Sequence, residues 1–509
     1  MPKILESVIE IGSTGIRLVV CQRTQEGVLN VVDKSELPVS LGWDVFTSRL
    51  VSRETLLQCI KILSRFKEQL AGWGIKTEQN SIIATSALRE ATNRDTVVDR
   101  IFVKTGFRVK IIDGIEENFY MYTAVLESLR YDYPQIKTQN SIILEIGGGS
   151  TEIMVLNKGK MAAVHSLRLG TVIIQQNIKN LHGTQQDTRH YLRDYIKNTG
   201  VNLNTEISLQ KIQVFISIGS ELQIAAKNIG LQLGLRCWKI SREDFFKFVD
   251  KVQAYSTEEC MAKYQISYND AQSFGIGLLT YKLFLGLTSA DSIIVTDTTI
   301  REGLLQSKVS SESNLQSEFT SQVVASAVNI GRKYHFDEEH AKYVCKVALK
   351  IYDALENELG LSSESRNYLE VASILHDVGT FIRGADHQKH SKYIIANSDI
   401  FGLAKDSMKI ISQIALYHRG NLTQPTDDDF YAFSRQERTL VLKLASILRI
   451  ADSMDRSHTQ HIEDFNISFK ADTMIIHTNN RAVSNLEKMA ITEKSDLFEF
   501  VFGYTIIVS

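Results

Sequence analysis

Residues 144–152 read Leu-Glu-Ile-Gly-Gly-Gly-Ser-Thr-Glu, and the fold is decided by how they are read. The apolar run Ser141-Ile-Ile-Leu leads in, and Ile153-Met-Val-Leu leads out to the turn pair Lys158-Gly159. Two short apolar runs joined by small residues predict a β-hairpin. Its tip carries Gly147, Gly148, Gly149, Ser150 and Thr151. With no Cβ in the way, backbone N–H groups there can close on an anion. Glu145 enters the tip and Glu152 leaves it. Carboxylates beside a phosphate repel it unless a hard cation such as Mg²⁺ lies between them. The competing reading is a flexible hairpin with ordinary charged flanks.

Ser7–Val20 repeats the same grammar: an apolar strand, the acidic Glu10, the tip Gly12-Ser13-Thr14-Gly15, and a second apolar strand. Glu-Ile-Gly occurs in both stretches, at Glu10–Gly12 and Glu145–Gly147. Two such hairpins far apart predict a duplicated architecture with a ligand between its halves. Both stretches resemble the two phosphate loops of the exopolyphosphatase/guanosine-pentaphosphate phosphohydrolase (Ppx/GppA) family, within the actin-like sugar-kinase superfamily. The resemblance covers most of the chain. It implies an α/β chain of two actin-like (ribonuclease H-like) domains, 1–125 and 126–306. A helical HD-type domain, 322–460, and a small β-rich appendage, 461–509, would follow.

The length of 509 residues exceeds one core and suits several domains. A 43% hydrophobic and 23% charged composition reads as globular. The net charge of -2 gives no global field for a polyanion, so any such ligand needs a local patch, and DNA is not an expected partner. The five cysteines show no metal or disulfide spacing, which suits a reducing cytoplasm. No signal-peptide core stands at the N-terminus, and no apolar run reaches the roughly 18 residues a membrane span needs.

Ser81–Thr85 reads as a strand, and Ser86 as the N-cap of a following helix that carries Arg89. The resemblance implies that Arg89 faces the phosphates. Gly114 opens a helix whose apolar stripe runs through Ile115, Phe119, Tyr122, Leu126 and Leu129. Glu117 lies roughly 160° from the stripe's centre and projects away from the packed face. A first-turn glutamate ordinarily complements the helix dipole. Gly114-Ile-Glu-Glu117 resembles the family's Gly-x-Glu-Glu motif, however, and this implies that Glu117 is the general base, with Glu145 beside it in catalysis. His165–Gly170 resembles a basic segment of the family and makes Arg168 a phosphate-contact candidate. The strand–Gly219-Ser220–helix junction is a looser match. Asp291–Leu305 resembles the end of the second actin-like domain, and the serine-rich Ser307–Ser321 reads as a linker.

Beyond it the pattern is helical to about residue 460, and Phe465–Ser509 alternates as strands do. His340, His376-Asp377, His390, His418 and Asp452 resemble the longer HD-type metal pattern. His340 falls on the stripe of Val344, Val347 and Ile351; His418 on that of Ile411, Ile414 and Ala415; Asp452 follows Leu444, Leu448 and Ala451. Imidazoles and carboxylates on several buried faces are costly without a cation. This donor mixture suits Mn, Fe or Zn better than Mg.

The expected activity is release of terminal phosphate from polyphosphate or guanosine pentaphosphate in an interdomain cleft. Gly12–Thr14 and Gly147–Thr151 would hold the phosphoryl group, Mg²⁺ would lie near Glu10, Glu145 and Glu152, and Glu117 would activate water. A homodimer is the default oligomer. The family's usual residue at Glu10 and Glu145 is aspartate, a departure that leaves room for a weakly active phosphate-binding regulator. An HD-domain nucleotide phosphohydrolase is a third reading. A sugar kinase is weaker, since no nucleotide-base pocket is evident in the sequence.

Overall fold

Both hairpins form. The computed structural model describes residues 4–24, 29–180, 185–204, 208–309, 314–355, 364–420, 428–462, 464–478 and 485–509. Strand β1 (Ile4–Ile11) turns into β2 (Gly15–Arg23), and β3 (Leu29–Pro38) completes an antiparallel meander. β4 (Asn80–Ala84) and β5 (Val109–Ile111) add in parallel on the other side of β1, giving the order β3-β2-β1-β4-β5.

A second sheet repeats this plan. β6 (Ser141–Ile146), β7 (Thr151–Asn157) and β8 (Lys160–Leu167) form its meander, with Glu145 opposite Glu152. They are followed by β9 (Val214–Ile218), β10 (Leu231–Gly234), β11 (Cys237–Ser241) and β12 (Ser292–Thr296). The order is β10-β11-β12-β9-β6-β7-β8, with β9 parallel to β6 and β12 parallel to β9. Every residue of β9 and β12 is buried, as expected of parallel strands covered on both faces. Residues 1–319 form one compact unit around these two sheets.

The helix Gly114–Leu129 starts where Asp113 caps it, the Asp113 carboxylate accepting from the N–H groups of Ile115 and Glu116 at 2.9 and 2.8 Å. Glu117 lies off the apolar stripe but is buried, 8% exposed. The stripe predicts one packed face, but the helix Ile300–Val309 covers another. Gly303 allows that crossing, because a Cβ there would overlap the Tyr120 carbonyl oxygen. Ser86 is the first residue of a short helix, Ser86–Glu90, and Thr85 holds the cap position. Most of the expected linker is helical too: one helix runs to Val309 and the next spans Asn314–Lys333, with 310–313 outside the described residues. Serines on a solvated face do not stop a helix whose other face buries Val323 and Ala327.

Residues 320–509 form the second unit. Its helices include Glu338–Ala354, Glu364–Leu375, His387–Ala396, Lys405–Leu416 and Arg435–Ser453. The last is started by a Ser434/Glu437 capping box and buries Leu444, Ile447, Leu448 and Ala451. β13 (Phe465–Lys470), β14 (Thr473–Thr478) and β15 (Thr505–Val508) make a small sheet. The appendage is less β-rich than expected. Helices Asn485–Lys494 and Asp496–Phe502 precede β15, and Gly503, at φ 74°, ends the second inside the run that alternates like a strand. Gly303→Ala should cost about 1–3 kcal/mol through overpacking, read as a lower thermal midpoint; an unchanged midpoint would show that the two helices separate freely.

Candidate active site

The two hairpin tips meet in the first unit. A Cβ on Gly148 would lie 3.0 Å from Ser13 Cβ, and one on Gly149 would overlap the Phe46 ring, so glycine permits this contact. The Ser13 hydroxyl lies 3.1 Å from that of Ser86, and the Ser13 carbonyl accepts from Gly42 N at 2.7 Å. Beside the tips opens a cleft of about 260 Å³. Gly12, Ser13, Thr14, Gly147, Gly148 and Ser150 line it, with Glu10, Glu117, Glu145 and Glu152.

Some expected phosphate contacts are committed elsewhere. The N–H groups of Gly12 and Gly147 close their own turns, onto Gly15 O at 3.0 Å and Ser150 O at 2.9 Å. The Thr151 hydroxyl donates to Leu169 O, and neither Thr151 nor Gly149 lines the cleft. Arg168 reaches Glu90 instead, at 3.0 Å, an acid it shares with Arg49. Arg89 donates to Glu117 Oε2 at 2.7 Å and to Ile112 O at 2.8 Å, so it grips the carboxylate and not the open cleft.

The acids differ in how their charge is met. Glu10 is bound by Arg301 and lies 3.7 Å from Arg17. Both arginines line the cleft, and neither was among the expected site residues. Arg17 was findable, since a hairpin closing through Gly12 and Gly15 sets residue 17 opposite residue 10. Glu152 accepts from Asn118 at 3.1 Å and Ser166 at 2.8 Å, neutral donors that leave its carboxyl well above the usual range under the burden of burial. Desolvation likewise raises the Glu117 carboxyl, against the pull of Arg89. Glu145 has no salt bridge among the described residues; desolvation, then Glu10 and Glu117, push it up to about 8.

Among the described residues, no three of these acids bring one oxygen each within 4.8 Å of one another. The expected triad of Glu10, Glu145 and Glu152 is therefore not a closed cage, because arginines take Glu10 and neutral donors take Glu152. An unneutralised Glu145 oxygen still fits a hard cation, which Mg²⁺ commonly completes with substrate phosphates.

A second cluster lies in the unit 320–509. His340, His376, Asp377, His418 and Asp452 converge, whereas His390 does not. His387 takes its place, 2.9 Å from Asp377 Oδ1 and 3.3 Å from His418 Nε2. The two histidines share the helix His387–Ala396, but its first residue is buried and His390, a turn on, stays partly exposed beside Gly379. Spacing alone offered no way to choose between them. Each ring is oriented through Nδ1: His340 to Asp455 at 2.8 Å, His376 to Ser373 O at 2.7 Å, His387 to Gly384 O at 2.9 Å and His418 to Ala415 O at 2.6 Å. All four Nε2 atoms are turned to Asp377 or Asp452. Two groups with mutual donor distances within 4.8 Å share Asp377: His340 and His376 with it, and His387 and His418 with it. His340 Nε2, His376 Nε2 and Asp377 Oδ1 are buried without a hydrogen bond. Orphaned donor atoms of this kind, oriented by outer partners, fit a transition metal.

The profile of the Ppx/GppA phosphatase family matches residues 19–312, and that of the family's domain III matches residues 324–497. The chain belongs to the Ppx/GppA phosphatase family. It is 22% identical over 502 residues to a guanosine-5'-triphosphate,3'-diphosphate pyrophosphatase of Pseudoalteromonas translucida (strain TAC 125), covering 95% of this chain and 94% of that one. An exopolyphosphatase from Cytophaga hutchinsonii shares the fold at 20% identity, with a TM-score of 0.54 over 60% of this chain and 98% of that one. A Ppx/GppA family member from Aquifex aeolicus gives 21% identity and a TM-score of 0.50 over 62% of this chain and all of that one.

The Glu145 pKa has a consequence for stability. Its folded value lies above the ordinary 4.5, so protonation favours the fold. That contribution is full below about pH 4.5 and is lost as pH rises through about 8. In the presence of a chelator, wild type should lose stability relative to Glu145→Gln across that window, measured by denaturant unfolding. A difference that ignores pH would contradict the assignment.

Proposed function

We propose that the cleft hydrolyses the terminal phosphoanhydride of inorganic polyphosphate or guanosine pentaphosphate. The observation that carries this reading is Glu117, held by Arg89 in the same cleft as the two Gly/Ser/Thr tips. Ser13, Thr14, Gly148 and Ser150 hold the terminal phosphoryl group. Glu117 takes the proton of the attacking water, and a carboxyl raised by burial is the better base near neutral pH. Arg89 positions that base. Glu145, with Glu10 nearby, would hold Mg²⁺, which when bound would supply charge neutralisation at the phosphate. Attachment of Glu10 to two arginines suggests that the longer side chains at 10 and 145 are accommodated as a pair. The five cysteines, all buried and free, suit a reducing cytoplasm. No helix among the described residues is long and apolar enough to cross a membrane.

The reading divides the first unit into actin-like domains at 1–125 and 126–306, and assigns residues 322–460 an HD-type fold. The orphaned Nε2 atoms favour a second centre there, with His340, His376, Asp377, His387, His418 and Asp452 as ligands of Mn, Fe or Zn. A metal bound there would link residues within or just after five helices and add folding stability.

Glu117→Gln should lower kcat for phosphate release by roughly 10²–10⁴ with little change in substrate affinity. Near-normal turnover would make Glu117 a structural partner of Arg89 only. Purified protein should carry a transition metal, lose thermal stability to chelator, and lose the metal in a His376→Ala/Asp377→Ala variant. A metal-free protein whose midpoint ignores both chelator and Mn²⁺ would sink the second centre.

A further inference from the structure

The helix Asn485–Lys494 reaches back into the histidine–aspartate cluster of the unit 320–509. Its last residue, Lys494, donates from Nζ to Asp452 Oδ2. Both groups are withdrawn from water, with side chains 15% and 5% exposed. The other oxygen of Asp452 is turned inward: Oδ1 lies 3.5 Å from Nε2 of His340 and 3.5 Å from Nε2 of His376. One carboxylate thus divides its oxygens between a lysine and two imidazoles.

Lys494 is held in register there. Arg449 stands one turn before Asp452 on the helix Arg435–Ser453, so the two share a face. The buried Arg449 guanidinium donates to Asp496 Oδ1 at 2.8 Å and to the Lys494 carbonyl at 3.4 Å. Arg449 with Asp496 and Asp452 with Lys494 are ion pairs of opposite polarity. Together they admit one register of the junction between the last two helices. The same guanidinium donates to Gly420 O at 2.7 Å, two residues beyond His418. A buried carboxylate oxygen without a partner is costly, and a carboxylate free to turn is a poor ligand. Lys494 answers both needs by holding Oδ2 and leaving Oδ1 aimed at the imidazoles.

We infer that Lys494 is a positioning residue of the metal centre, fixing Asp452 with Oδ1 inward, and that it couples the C-terminal helix to metal binding. The inference rests on the metal reading of the cluster and adds a residue from outside the ligand set. Linkage is reciprocal, so the helix that carries Lys494 should be steadier when the site is filled.

Mn²⁺ is titrated calorimetrically into the chelator-stripped full chain. Lys494→Met should weaken Mn²⁺ binding roughly 10- to 100-fold, the range for loss of such an outer partner, and Lys494→Arg should restore most of it. Lys488→Met removes the same charge from an exposed position of the same helix and should bind as wild type does. Hydrogen exchange gives a second reading on the unaltered protein: the amides of Asn485–Lys494 should exchange more slowly with Mn²⁺ than without it. Unchanged or tighter binding in Lys494→Met, or an equal loss in Lys488→Met, overturns the positioning role. So does exchange in the wild-type helix that ignores Mn²⁺. A wild type that binds no Mn²⁺ sinks the metal reading itself and this inference with it.

Discussion

Several carboxylates face one cleft, and this repulsion sets the terms for everything around it. Like charges in a partly desolvated site cannot all persist without partners. Each acid finds a different answer. Arg301 and Arg17 meet Glu10, Arg89 meets Glu117, and Asn118 with Ser166 satisfies Glu152. Glu145, at the root of the second hairpin, is the acid left without a salt bridge among the described residues. A cleft built this way is hostile to a bare polyanion and receptive to one that arrives with a cation. The duplicated sheets bring the two tips and their acids together, and the arginines restrict where positive charge is still wanted.

The helical unit answers a similar problem with other chemistry. Its acids face imidazoles, and the rings are already oriented by hydrogen bonds at Nδ1. Asp452 also meets Lys494, from the helix Asn485–Lys494. That helix lies in the stretch read from sequence as a β-rich appendage, so the last residues of the chain contribute to the cluster's surroundings.

What was legible in the sequence was local. Short continuous apolar runs around glycine tips give both hairpins and, through their likeness, the duplication. A hairpin's register even fixes Arg17 opposite Glu10. What was hidden depended on distant packing. Glu117 lies off the helical stripe and is buried all the same, gripped by Arg89 from the helix Ser86–Glu90, a partner the stripe does not record. Arg89 and Arg168 were read as phosphate contacts, but their partners are Glu117 and Glu90, which no sequence spacing reveals. His387 and His390 are equivalent by composition, and only the orientation of their helix separates them. Alternation across Phe500–Val508 concealed a helix end, because Gly503 changes the backbone direction within the run.

The electrostatic account of the cleft is tested most directly by the affinity for tripolyphosphate at about pH 9, above the value of about 8 to which Glu145 is raised and where its carboxylate is charged, measured by calorimetry with and without Mg²⁺ in wild type and Glu145→Gln. If unneutralised acid excludes the bare anion, wild type binds far more tightly with Mg²⁺, and the difference shrinks when Glu145 loses its charge. Equal affinity with and without Mg²⁺ in both proteins would contradict the account.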